Sequence, residues 1–148
     1  MKVSKAVNLT LAFFTIAVLV GCEQRPRPVS TPDAPQPVGP YSQAEIAGHF
    51  VFGAELGIDP KQGKIVATTA EGQMSQAMDN VFAVLKAAGS DPSKLVKVTV
   101  YFKNLDDYDK ANAVYARVLG NNRPARAAVQ VDRIPLDALI EIDFIAQR

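Results

Sequence analysis

The chain has 148 residues, 48% of them hydrophobic, with 16 basic and 15 acidic side chains and a formal charge of +1. That is the make-up of one globular domain, and its near neutrality gives no electrostatic case for nucleic acid, whose capture needs clustered Lys and Arg. One Cys excludes a disulfide framework, and one His, His49, excludes a histidine-rich metal site.

Residues 1–22 read as a targeting segment rather than as fold. Lys2 and Lys5 precede an apolar run, Ala6–Val20, too short for a membrane span and followed by Leu19-Val20-Gly21-Cys22. That ending looks like a bacterial lipobox, so Cys22 is the expected lipidation site. The expected location is the cell envelope, on the outer membrane facing the periplasm, with the membrane reached through the lipid anchor. Without Lys2 and Lys5 the remainder carries 14 basic and 15 acidic residues, a net of −1. Residues 23–37, EQRPRPVSTPDAPQP, hold five prolines and almost no large apolar side chain. They read as a semi-rigid tether in polyproline II conformation, which leaves 38–148 as the folded unit.

Within that unit, Gln43–Ala47 and Phe50–Leu56 are predicted strands joined at Gly48-His49, which makes His49 a solvated turn residue. Residues 58–64 are turn chemistry, with Pro60 and Gly63, and Ile65–Ala67 is briefly extended. Thr68 and Glu71 fit a capping box, after which Met74, Ala77, Met78, Val81, Leu85 and Ala88 recur at helical spacing up to Gly89. Val96–Phe102 alternates, with Val96, Val98, Val100 and Phe102 on one face. A second helix starts near Asp106-Asp107, presents Tyr108, Ala111, Tyr115 and Val118, and stops at Gly120. The last strand, Leu139–Ala146, buries Ile140, Ile142 and Phe144 and turns Glu141 and Asp143 the other way. The fold class is α+β, with two helices packed on one sheet face.

Between the second helix and the last strand lies PARAAVQV, residues 124–131. As a strand it places Ala127, Val129 and Val131 on one face and Arg126, Ala128 and Gln130 on the other. The two final strands are expected to pair or lie close, with Arg126, Glu141 and Asp143 on their non-core faces. A surface salt bridge there would be worth little. Alanines around one guanidinium also leave a hollow suited to a small carboxylate, which Arg grips with two parallel hydrogen bonds. Glu141 would then take a proton from a water.

The Gly39-Pro40-Tyr41 motif, the helix end DNVFAVLKAAG (79–89), VKVTVYFKNLDDY (96–108) and RPARAAVQVDRIPLDALIEID (123–143) together resemble the reactive intermediate deaminase family, also called Rid or YjgF. The resemblance covers 38–148 in unbroken order. It implies a chorismate-mutase-like α+β domain that forms homotrimers with ligand clefts between subunits. The implied activity is hydrolysis of 2-imino acids to 2-keto acids and ammonia, without cofactor or metal. Arg126 matches the arginine that binds the substrate carboxylate, and Glu141 the acidic residue that handles water at the imine carbon. Tyr41 and Asn112 match cleft-lining positions. The chain departs from the family at two further expected substrate-binding positions: Ala128 stands where a Cys is common, and Gly53-Ala54 where Ser-Gly is common. A non-catalytic module that binds small carboxylates is the alternative, and a ribonuclease is disfavoured by the neutral charge.

Overall fold

In the computed structural model, which describes residues 25–148, the alternating and helical patterns become eight strands and two helices. In chain order these are β1 (Arg27–Val29), β2 (Ala44–Ala47), β3 (Phe50–Leu56), β4 (Ile58–Asp59), β5 (Lys64–Ile65), α1 (Ala70–Ala87), β6 (Leu95–Phe102), α2 (Tyr108–Leu119), β7 (Ala125–Gln130) and β8 (Ile140–Gln147). Six strands form one sheet in the order β1-β2-β3-β8-β6-β7. Only β6 and β7 run parallel in it, because α2 carries the chain back between them. The extended stretch expected at Ile65–Ala67 is observed as β5 at Lys64–Ile65, and it pairs with β4 in a separate two-stranded ribbon.

Both helices cover one face of the sheet. The stripe read from the sequence is the buried side of α1, where Met74, Ala77, Met78, Val81, Val84 and Leu85 are all at most 1% exposed. They meet Val51, Val98, Val100, Phe102, Ile142 and Phe144 from the sheet. Removing this much apolar area from water is the main stabilising term of the fold. The cap of α1 is Thr69 rather than Thr68, its hydroxyl accepting from the Gly72 N–H at 3.2 Å. At the other end Gly89 takes φ +77, and the Ser90 and Gly89 amides bond back to Leu85 and Lys86 in a Schellman motif.

Val96 was expected on the core face but is 43% exposed. A register shift between Leu95 and Lys97 inserts one extra residue against β8, so Leu95 takes the buried place and Val96 is pushed outward. The proline-rich segment also differs from the tether expected over 23–37. Within its described part, β1 pairs with β2, and Val29 and Ala34 join the core. Gln43 holds this segment: its Oε1 accepts from the Thr31 N–H at 2.7 Å, and its Nε2 donates to the carbonyls of Thr31, Ala34 and Pro35. Prolines are tolerated because this is a sheet edge, where a missing N–H leaves no ladder bond open. The folded unit therefore starts ahead of residue 38.

Candidate active site

The expected site residues fall into two separate groups within one chain. The last two strands are not neighbours, because β6 lies between β7 and β8. Arg126 pairs with Val98, which pairs with Phe144, and both of those are in the core. Arg126 therefore lies on the helix-covered face, not on the non-core face expected for it. Glu141 pairs with Tyr101 and with Leu56 and lies on the open face. The single chain does not bring Arg126 and Glu141 together.

The first group sits under α2 at the edge strand β7. The surround of Arg126 is aromatic rather than a hollow of alanines: its guanidinium carbon lies 5.3 Å from the Tyr108 ring centre and 4.6 Å from that of Tyr115. Asn112, one α2 turn from Tyr108, accepts from Arg126 Nη1 at 2.6 Å. Helical spacing puts Tyr108, Asn112 and Tyr115 on one side of α2, so one helix face orients the guanidinium plane. Ala128 is half-buried against the same core. Two donors here are buried without an acceptor among the described residues, Arg126 Nη2 and the Tyr115 hydroxyl. Burial pushes the Tyr115 phenol up, against the opposing pull of Arg126 and Arg123. Adjacent donors lacking an acceptor are able to bond an anion that reaches them.

The second group lines a cleft of about 330 Å³ at the end of β3 and β8, walled by Tyr41, Gln43, Ala54, Glu55, Pro135 and Glu141 among others. Tyr41 is 57% exposed and its hydroxyl accepts from the Val38 N–H. Burial first, and then the Asp143 carboxylate, push the Glu141 carboxyl above its usual range, toward neutral pH. Gly53 does not line this cleft. It faces the core, where a Cβ would come within 2.7 Å of the Phe144 ring, and Ala54 faces the cleft instead. At the rim, Leu136 and Asp137 take φ 59 and 53, uncommon for residues with a Cβ, and Asp137 pairs with Arg133 on the surface. No group of metal-ligating side chains occurs among the described residues.

Three residues here were missed in the sequence, Tyr108 and Tyr115 as neighbours of the guanidinium and Glu55 as an acid in the cleft. Glu55 had a legible signal. In Phe50–Leu56 it alternates with Val51 and Gly53, so it is a charge on the core face of a strand.

A sequence model described as Endoribonuclease L-PSP matches residues 31–148. A RutC family protein of Pyrococcus horikoshii is 48% identical over 121 residues, covering 81% of this chain and 96% of its own length. The human 2-iminobutanoate/2-iminopropanoate deaminase is 37% identical over 121 residues, covering 81% and 88%. The crystal structure of Escherichia coli TdcF with bound serine superposes with a TM-score of 0.78 at 33% identity, covering 82% of this chain and 98% of that one. These matches correct the expected location. Relatives in an archaeon and in humans, neither of which has a bacterial outer membrane, do not support an envelope lipoprotein. Among the described residues no helix is long and apolar enough to cross a membrane. Cys22, on which the anchor rested, lies outside the described residues.

Proposed function

Because the chain belongs to the Endoribonuclease L-PSP family, some of whose relatives are named 2-imino acid deaminases, we propose that it hydrolyses 2-imino acids to 2-keto acids and ammonia at a site shared between subunits. The observation that carries this reading is the Arg126 guanidinium. It is held flat by two rings and Asn112, with Nη2 buried and lacking an acceptor. A substrate carboxylate supplies the missing oxygens, one to Nη2 and one to the second N–H of Nη1.

An imine carbon is already electrophilic, so the protein needs chiefly to orient it and deliver water. Orientation and base assistance together account for several powers of ten in rate. Arg126 fixes the carboxylate, and Glu141, in its ionised form, draws a proton from the water that adds to the imine carbon. Neither step calls for a nucleophilic side chain, a metal or a cofactor.

Arg126 and Glu141 lie on opposite faces of one sheet, so for one substrate to meet both, they come from two copies. The open sheet face supports this. Phe50, Phe52 and Val129 lie on it 38–41% exposed, an apolar surface without cover among the described residues. We take the assembly to be a homotrimer, in which each cleft combines the Glu141 group of one copy with the Arg126 group of the next. A carboxylate-binding module without turnover is the second reading, favoured by Ala128 in place of a polar side chain.

The test is ammonia release from an imino acid generated in place by an amino acid oxidase. Wild-type protein should accelerate it, and Glu141→Gln should lower turnover by 100-fold or so while leaving the affinity for a 2-keto acid nearly unchanged. Binding of keto acid with no acceleration by the wild type selects the second reading.

A further inference from the structure

The strongest feature outside that account is Glu55. It is 5% exposed, yet Oε1 has no hydrogen-bond partner among the described residues. Its buried polar neighbours behave differently. Gln43 bonds four backbone groups, Asn80 donates to the carbonyls of Leu56 and Ile58, and Gln73 joins Ala67 to Leu139. Structural polar groups in this part of the fold are satisfied, and the acid is the exception. A buried acid without a partner costs stability, which fits a group whose partner arrives with the ligand.

Its placement names the ligand. Glu55 lines the cleft that also holds Glu141 and Tyr41. Glu141 pairs with Leu56 across β3 and β8, so the two acids lie on adjacent strands, one residue out of register. They point to opposite faces at the end of the sheet, and the cleft reaches both. We propose that Glu55 is the acid partner of Glu141, a neutral carboxyl that gives its proton to the substrate nitrogen. This assignment rests on the imine-hydrolase reading above.

The proton balance closes over two steps. Water adds to the imine carbon through a new C–O bond, and the C=N π pair moves to nitrogen. Glu141 takes a proton from the water, and nitrogen takes one from Glu55. The resulting carbinolamine has a hydroxyl and an NH₂, beside a neutral Glu141 and an ionised Glu55. Glu141 then protonates the NH₂, the C–N bond breaks to release ammonia, and the hydroxyl proton returns to Glu55 as the C=O forms. Both acids end as they began, and the net change is imine plus water to ketone plus ammonia.

The electrostatic setting keeps Glu55 neutral. Burial alone pushes its carboxyl up to about 8. The ionisable groups that share its cleft are Glu141 and Tyr41, and Asp143 on β8 lies opposite the neighbouring Ala54. Within one chain no Lys, Arg or His is among the described residues lining the cleft; the Arg126 that the proposed trimer brings there from the next copy pulls the carboxyl down, and the substrate carboxylate it binds offsets that pull. Two acids driven apart in role by their surroundings are the usual way one site supplies both an acid and a base.

The test compares wild type, Glu55→Gln and Glu141→Gln in the ammonia-release assay across pH 5.5–9.5, a range of about four units around neutral. Wild-type kcat/KM should fall on an alkaline limb near pH 8, where Glu55 loses its proton. Glu55→Gln should lower kcat by about 100-fold or more at pH 7, abolish that limb and leave keto-acid affinity within a few-fold. An active wild type whose rate and alkaline limb survive in Glu55→Gln overturns this inference and leaves the proposed function standing. A wild type without any acceleration overturns both. Circular dichroism checks the fold of each variant. If Glu55→Gln does not fold, the wild-type profile decides: no alkaline limb refutes the assignment.

Discussion

Replacing Glu55 by Gln should stabilise the protein by an amount that grows with pH. In the fold the carboxyl is held up to about 8, against 4.5 when exposed. Between those values the folded state keeps a proton that the unfolded chain has released, so stability falls as pH rises through that window. Each pH unit is worth about 1.4 kcal/mol, which gives about 3 kcal/mol at pH 7 and about 5 kcal/mol above pH 8 as upper figures. Gln keeps the shape and carries no charge, so it escapes this loss. Urea unfolding of both proteins at one fixed protomer concentration, at pH 4.5, 7 and 8.5, should show midpoints that nearly coincide in acid and separate progressively above it. A difference that stays constant across the three pH values would refute a buried, neutral Glu55.

Three further outcomes follow from the packing. Gly53→Ser, which introduces the serine common in the family, should destabilise by about 1–3 kcal/mol through overpacking against Phe144, seen as a lower urea midpoint. Gln43→Ala should cost about 1–3 kcal/mol by orphaning buried backbone groups of Thr31, Ala34 and Pro35. Limited proteolysis should then cut ahead of Val38, where the wild type resists. Arg126→Lys keeps the charge but loses the planar fork and its seat on Asn112, so calorimetry should show keto-acid affinity reduced by about 10- to 100-fold.

Local periodicity carried most of the fold. The α1 stripe, the alternation of β8 and the glycine stops of both helices are set by neighbours within a turn or two, so they read directly from the residues. What did not read was set by distant partners. Val96 faces outward because of a bulge against β8, and residues 27–37 fold because Gln43 reaches back to them. Arg126 from the strand pattern and Asn112 from the family resemblance were expected as candidate site residues, and the structure joins them by a hydrogen bond. The side of the sheet on which Arg126 lies was not legible, because it depends on β6 entering between β7 and β8. Glu55 broke a strand's alternation in plain view, but its meaning needed the cleft around it.

The shared site is tested most directly by mixing two inactive variants. Arg126→Ala lacks the carboxylate receptor, and Glu141→Gln lacks the base. If each site takes Arg126 from one copy and Glu141 from another, random mixed trimers regain intact sites at about a quarter of their interfaces, by the symmetry of a head-to-tail ring. Unfolding and refolding the two variants together should therefore restore roughly a quarter of the wild-type rate of ammonia release, where each variant refolded alone restores almost none. No recovery in mixtures shown to contain both chains in one assembly would contradict a site built from two subunits.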